Sequence, residues 1–181
     1  MSPADSGRLW APWRMRYVGQ AGAVKGCLFC TVRRSRADRA HLVLARRPHA
    51  LLMLNRFPYT PAHLMVAVAR HVPRFADLTP PERQDLLDLT ALAELALAAE
   101  YRPHGVNYGL NVGRVAGAGF PGHLHLHLVA RWDGDTNFMT TVAGARVLPE
   151  SLGRTWSRMR RALSAAESEG RKPASRRTRG R

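Results

Sequence analysis

Gly122-His123-Leu124-His125-Leu126-His127-Leu128-Val129-Ala130-Arg131-Trp132 sets three histidines in strict alternation with three leucines. Period-two alternation over this length marks a half-buried β-strand. Successive side chains leave a strand on opposite faces, so the leucines share one face and the imidazoles the other, spaced about 6.6 Å per two-residue step. Directly upstream, Gly113-Arg114-Val115-Ala116-Gly117-Ala118-Gly119-Phe120-Pro121-Gly122 is a glycine-rich loop. Its backbone can approach a ligand closely.

The neighbouring segments supply the rest of a sheet. Residues 106–112 read as a strand that pairs antiparallel with the histidine strand across the loop. Residues 41–46 and 49–54 are short apolar runs around Arg47-Pro48 and read as a hairpin. Asn55-Arg56-Phe57-Pro58-Tyr59-Thr60-Pro61 is a loop by its Asn and Pro content, and residues 63–69 form a further strand. A long helix follows. Thr79 is its N-cap, Pro80 its first residue, and Glu82 completes a capping box. Leu86, Leu89, Leu92, Ala96 and Ala99 keep helical spacing on its apolar face, and Pro103 and Gly105 close it. After a turn at 133–137 and an apolar segment at 138–147, Leu152, Trp156, Met159 and Leu163 mark an amphipathic C-terminal helix. The architecture expected is α+β: about five antiparallel strands, one long helix and a C-terminal helix.

The chain of 181 residues suits one domain over 9–163, with a disordered start at 1–8 and a basic disordered tail at 164–181. The tail holds Arg171, Lys172, Arg176, Arg177, Arg179 and Arg181, yet without it the chain stays basic, from a net charge of +15 overall. Such a surface attracts polyanions, nucleotides or nucleic acid. An arginine-rich composition without functional meaning accounts for the charge equally well. Two tryptophans, a tyrosine and a methionine in residues 9–17 form an arm that packs on the domain or a second subunit, or stacks on bases. Arg33, Arg34, Arg36 and Arg39 read as a solvated connector. No apolar run resembles a signal peptide or a membrane span, and two cysteines are too few for a secreted disulfide scaffold. The expected location is the cytoplasm.

Three chemistries are open to the histidines. They are solvated, or one of them joins a metal site with ligands from elsewhere, or one is a nucleophile towards phosphorus. Neutral imidazole, with a pKa near 6.5, is a fair nucleophile at pH 7. Loop N–H groups would hold the phosphate oxygens. Cys27-Leu28-Phe29-Cys30 lacks the thioredoxin-like context of a redox pair and is open between an inert pair and half of a zinc site, which would need two further ligands.

The histidine stretch resembles the His-φ-His-φ-His-φ-φ signature of the histidine triad family of nucleotide hydrolases and transferases. Leu9-Trp10-Ala11-Pro12-Trp13-Arg14, Asn55-Arg56-Phe57-Pro58-Tyr59, His63-Leu64-Met65-Val66, Gly109-Leu110-Asn111-Val112-Gly113 and Arg131-Trp132-Asp133-Gly134-Asp135-Thr136-Asn137-Phe138 are similar to its bacterial branch of diadenosine tetraphosphate phosphorylases and hydrolases. The resemblance implies that His125 takes up a nucleoside monophosphate, that His127 fixes the phosphate geometry, and that His123 lies near the leaving group. It implies substrate contacts from Asn55 (ribose, where turn-capping is the alternative), His63, Asn111, Gly117, Gly119 and Trp132. It implies a homodimer with the long helix and sheet edges near the interface, and no organic cofactor. It also implies a closed structural zinc site of Cys27, Cys30, His71 and His123, which conflicts with His123 acting as an acid.

The chain departs from the family in two places. Ala118-Gly119-Phe120-Pro121-Gly122 lacks the Ser, Thr or Gln common before the triad, and Ala130 replaces a common Pro. The lost hydroxyl favours water over phosphate as acceptor. The expected activity is cleavage of a dinucleoside polyphosphate through a nucleotidyl-histidine, with phosphorolysis or phosphoramidate hydrolysis as alternatives. The rival outside enzymes is a basic, zinc-stabilised nucleic-acid-binding protein.

Overall fold

The computed structural model describes residues 26–136 and 150–170. The aromatic arm, the first eight residues, the 138–147 segment and the tail beyond Gly170 lie outside the described residues. In chain order the elements are helix α1 (Leu28–Arg34), strands β1 (Val43–Arg46), β2 (Ala50–Leu54) and β3 (Leu64–Val68), helix α2 (Pro80–Tyr101), strands β4 (Gly105–Leu110) and β5 (His125–Arg131), and helix α3 (Leu152–Gly170). The strands form one antiparallel sheet in the order β1-β2-β3-β5-β4. This is the α+β architecture expected.

Strand periodicity splits the core in two. Leu64, Val66 and Val68 of β3 and Leu126 and Leu128 of β5 pack with Leu86, Leu89, Ala93 and Leu97 of α2 and Met159 and Leu163 of α3. On the opposite face Met65 and Ala67 of β3 join Val43, Leu51 and Met53 under Phe29 and Val32 of α1. Each fully buried Leu, Val or Phe contributes about 1.5–3 kcal/mol. The leucines therefore fix which face of β5 is inside, and the imidazoles are left on the α1 side.

Three elements differ from the sequence reading. Helix α1 takes in Arg33 and Arg34 of the expected connector, of which Arg34, Arg36 and Arg39 are exposed as the sequence suggests. Phe29 and Val32, three apart, are buried beneath it. Arg46 reaches from β1 to the carbonyls of Val32, Arg33 and Ser35 and to Asp38, satisfying the helix's C-terminal end. The buried row of α2 runs through Leu86, Leu89, Ala93, Ala96 and Leu97, while Leu92 is half-buried and Ala99 has rotated to the exposed side. Helix α3 continues through residues 164–170, which the reading gave to the disordered tail. Alanine and glutamate favour the helix there, and Glu167 pairs with Arg47 at 2.6 Å.

The capping box of α2 forms as expected. Thr79 N–H donates to Glu82 Oε2 at 2.8 Å. Arg70 adds a two-pronged ion pair to the same carboxylate, both contacts at 2.8 Å. The guanidinium holds Glu82 down to about 2. A depressed carboxylate stabilises the fold above its unfolded value near 4.5, and that contribution is lost as pH falls towards 2. Glu82→Ala is expected to cost about 1 kcal/mol through the lost cap and to flatten the acid limb of stability between those pH values. Urea unfolding at pH 7 and pH 3 checks both.

The two sheet edges differ. The β1 edge is occupied: Trp156 Nε1 donates to Val43 O at 2.8 Å and Arg160 to Leu44 O at 2.6 Å. The β4 edge is largely exposed.

Candidate active site

Strand β5 carries His125 and His127 two residues apart on the α1 side of the sheet. Their register partners on β3 are Ala67 and Met65, and on β4 His127 faces Gly109. A Cβ at Gly109 would meet nothing within 4 Å, so there is open space beside His127. The two triad rings lie 4.9 Å apart, edge to face.

The hydrogen bonds assign each ring its tautomer. Phe57 N–H donates to Asn55 Oδ1 at 2.9 Å, which identifies the amide oxygen and turns Nδ2 to His63 Nδ1, 3.3 Å away. Tyr59 N–H also donates to His63 Nδ1, at 3.2 Å. A nitrogen that accepts carries no proton, so the His63 proton is on Nε2. His63 Nε2–H then donates to His127 Nδ1 at 2.9 Å, which places the His127 proton on its own Nε2. His125 is set the other way. Its Nδ1–H donates to the carbonyl of His123 at 2.8 Å, leaving Nε2 as a bare lone pair. Burial lowers both groups; His127 falls to about 4, with the nearby His125 adding to the effect. Both rings are neutral at pH 7. The site therefore presents one nucleophilic nitrogen beside one N–H donor.

His123 lies apart from the other two triad histidines. It precedes the strand, on a turn closed by His123 N–H to Phe120 O at 3.1 Å. Its Nε2 donates to Val68 O at 2.8 Å, and its Nδ1 lies 3.2 Å from Cys27 Sγ and 3.6 Å from Cys30 Sγ. Both nitrogens are engaged, one by the cysteines and one by the Val68 carbonyl. His71 Nδ1 lies 3.4 Å from Cys30 Sγ. The ligand atoms of Cys27, Cys30, His71 and His123 all fall within 4.8 Å of one another. That set fits a metal: zinc–sulfur bonds of about 2.3 Å and zinc–nitrogen bonds of about 2.0–2.1 Å give tetrahedral edges of about 3.5 Å. The Val68 carbonyl fixes the His123 tautomer with Nδ1 turned to the cluster, as outer partners of metal-binding histidines do. Gly122 is tight here, since a Cβ would come within 3.1 Å of His71 Nε2.

The other expected substrate residues divide. His63 is fully buried within the triad network. Asn55 shapes the loop through Phe57 and His63 instead of presenting a free amide. Asn111 follows β4 and is half-exposed at the mouth of the glycine loop, where Gly117 takes φ +88° and Gly119 is half-exposed. Trp132 packs on the leucine-side core, with Nε1 donating to Tyr101 O at 3.4 Å. That is the sheet face away from the triad. Two participants were not singled out from the sequence. Tyr59 stacks 4.5 Å from His63, and Phe29 lies 4.7 Å from His125. The Pro-rich loop signalled the first, and the two cysteines flanking Phe29 signalled the second.

Known proteins resemble this chain in sequence and in fold. The family model described as HIT domain matches residues 36–134. A protein of Mycobacterium tuberculosis named AP-4-A phosphorylase is 39% identical over 153 residues, covering 80% of this chain and 78% of that one. The asymmetrical bis(5'-nucleosyl)-tetraphosphatase of Schizosaccharomyces pombe is 31% identical over 93 residues, 51% of this chain and 50% of that one. A zinc-bound histidine triad family protein of Mycobacterium smegmatis superposes with a TM-score of 0.64 at 23% identity, covering 80% of this chain and 97% of that chain. With the strand, the loop and the opposed tautomers of His125 and His127 in place, these matches make the chain a member of the histidine triad family.

Proposed function

We propose that the protein cleaves a phosphoanhydride of a dinucleoside polyphosphate of the diadenosine tetraphosphate type. The observation that carries this reading is the pairing of a bare His125 Nε2 with a His127 Nε2–H on adjacent rings of one strand face. His125 Nε2 attacks the phosphorus next to a nucleoside. The P–N bond forms as the bridging P–O bond breaks, and the remaining nucleotide leaves with the bond's electron pair. His127 Nε2–H donates to an oxygen of the phosphorus under attack, and N–H groups of the 113–122 loop share the negative charge. The acceptor then attacks the same phosphorus; the P–N bond breaks, its electron pair returns to His125 Nε2, and a water acceptor gives up its proton to solvent. No ring has to gain a proton for the first step.

Water is the acceptor favoured by the loop, whose residues 113–122 include no hydroxyl or amide side chain to hold phosphate. Phosphorolysis is favoured by the name of the mycobacterial relative. Incubation with diadenosine tetraphosphate decides. AMP and ATP without added phosphate identify a hydrolase, and ADP and ATP only with phosphate identify a phosphorylase. No cleavage of this compound or of an adenosine phosphoramidate overturns the reading.

The Cys27, Cys30, His71 and His123 group is read as a structural zinc site. All four positions are filled by protein, which leaves none for substrate. The chain is read as a homodimer paired through the exposed β4 edge and the outer face of α2. That face carries exposed Leu87 and Leu95, and Tyr108 stands beside it on β4. Size-exclusion chromatography with light scattering is expected to give twice the mass of 20.1 kDa; a monomer at micromolar concentration overturns this assignment. No helix among the described residues is long and apolar enough to cross a membrane, and a cytoplasmic location fits two free thiols in a metal-ready group.

A further inference from the structure

Phe29 lies between Cys27 and Cys30 in sequence and against the nucleophile in space. Its ring is fully buried. Its centroid is 4.7 Å from the His125 ring, inclined at 36°, and 5.0 Å from the His123 ring at 39°. Phe120, from the glycine loop, meets it edge to face at 5.6 Å. A single aromatic side chain thus touches a metal-group histidine, the nucleophilic histidine and the loop before them.

The surroundings of His125 explain what the contact does. One hydrogen bond, Nδ1 to the His123 carbonyl, holds one edge of the imidazole. The His127 ring meets it edge to face at 4.9 Å, so the remaining constraint on the imidazole is what lies against its flat face. The register partner across β3 is Ala67, a small side chain buried in the same cluster as Phe29. The large side chain of that cluster lying against the His125 ring is Phe29. The position of Phe29 is in turn fixed from both sides, because Cys27, two residues before it, and Cys30, the residue after it, both reach the same ligand group.

We propose that Phe29 is the positioning residue of the nucleophile, carrying the order of the metal group into the orientation of His125 Nε2. The inference rests on the reading of His125 as nucleophile given above. It assigns a catalytic consequence to a site otherwise read as structural. With the four ligands drawn together, Phe29 is pressed on His125 and Nε2 is aimed at the open face. With the ligands apart, the ring loses its wall and turnover falls although no substrate contact has changed.

The test is Phe29→Ala in the full chain, loaded with zinc and assayed with diadenosine tetraphosphate. We expect kcat to fall about 10- to 10²-fold, the scale of a misaligned reacting group, with KM within about twofold and zinc content unchanged. Long-range ¹H–¹⁵N spectra of the imidazoles are expected to show one fixed Nδ1–H tautomer for His125 in the parent and exchange-averaged signals in the variant. Wild-type kcat together with a fixed tautomer in the variant overturns the proposal, as does a loss confined to KM. If the alanine variant does not hold zinc, Phe29→Leu, which keeps volume without the flat face, carries the same test. A lowered kcat at full zinc content supports the role, and an unchanged one overturns it. Should the parent show no turnover, the nucleophile reading fails by itself, while the imidazole spectra still decide whether Phe29 orders His125.

Discussion

His125→Ala is expected to lower turnover of diadenosine tetraphosphate by about 10³-fold or more, the scale on which a lost nucleophile is felt when binding and charge stabilisation remain. KM should change little, because the deleted nitrogen bonds to substrate only during reaction. Denatured wild-type enzyme quenched during turnover should carry a labelled nucleotide, and the variant should carry none. Full activity in the variant would remove His125 from the mechanism. His127→Ala should be milder, about 10²-fold, since it removes a single donor to a developing charge. The pH profile follows from burial. Both rings are held below the usual imidazole range, so the rate should be level across neutral pH and fall only as acid reaches them and removes the lone pair. Stability follows the same sign. An unfolded imidazole takes its proton near pH 6.5 and the buried ring resists it, so acidification below that value favours the unfolded chain.

Removing the metal is the second large perturbation. Zinc present at a thousandfold over its dissociation constant stabilises the fold by about 4 kcal/mol. For a domain of this size that corresponds to about 8–16 °C in Tm. Cys30→Ala or exhaustive chelation is expected to lower the melting temperature by this order. Its signature should be that Cys30→Ala becomes insensitive to chelator. Metal analysis of protein purified without added metal should find one equivalent of zinc per chain; less than about a tenth of an equivalent would sink the assignment of the four ligands.

The residues that were legible from sequence carry local rules. Thr79, Pro80 and Glu82 spell a helix start whatever the rest of the fold does. The alternating leucines of β5 can be buried in only one orientation. The resemblance, not the spacing, brought His71 and His123 to the two cysteines. Other features depend on contacts distant in sequence. Helix α1 is too short to show a period, and its C-terminal end is satisfied by Arg46 from β1. Alternation put all three histidines on one strand, but the turn at Phe120 ends just before the ladder begins, so His123 stands outside it. Trp132 lies beyond that strand and turns to the opposite face. Asn55 could be a ligand contact or a turn residue on composition alone. The structure shows the turn contact, from the Phe57 amide two residues on.

The sheet order has a consequence for how the molecule comes into being. Strand β5 is the last of the five to be made, yet it lies between β3 and β4 and completes the ladder of each. Until it docks, β3 and β4 have no partner between them, and His125, His127 and His123 are all missing from their places. A chain still emerging from the ribosome therefore has neither nucleophile nor complete ligand set, and its contacts across that gap are of the long-range kind that form slowly. Gain of activity during refolding should coincide with the final phase of sheet formation and lag behind the appearance of the α2 helix. The same residues proposed to perform the chemistry thus report that synthesis has been finished correctly.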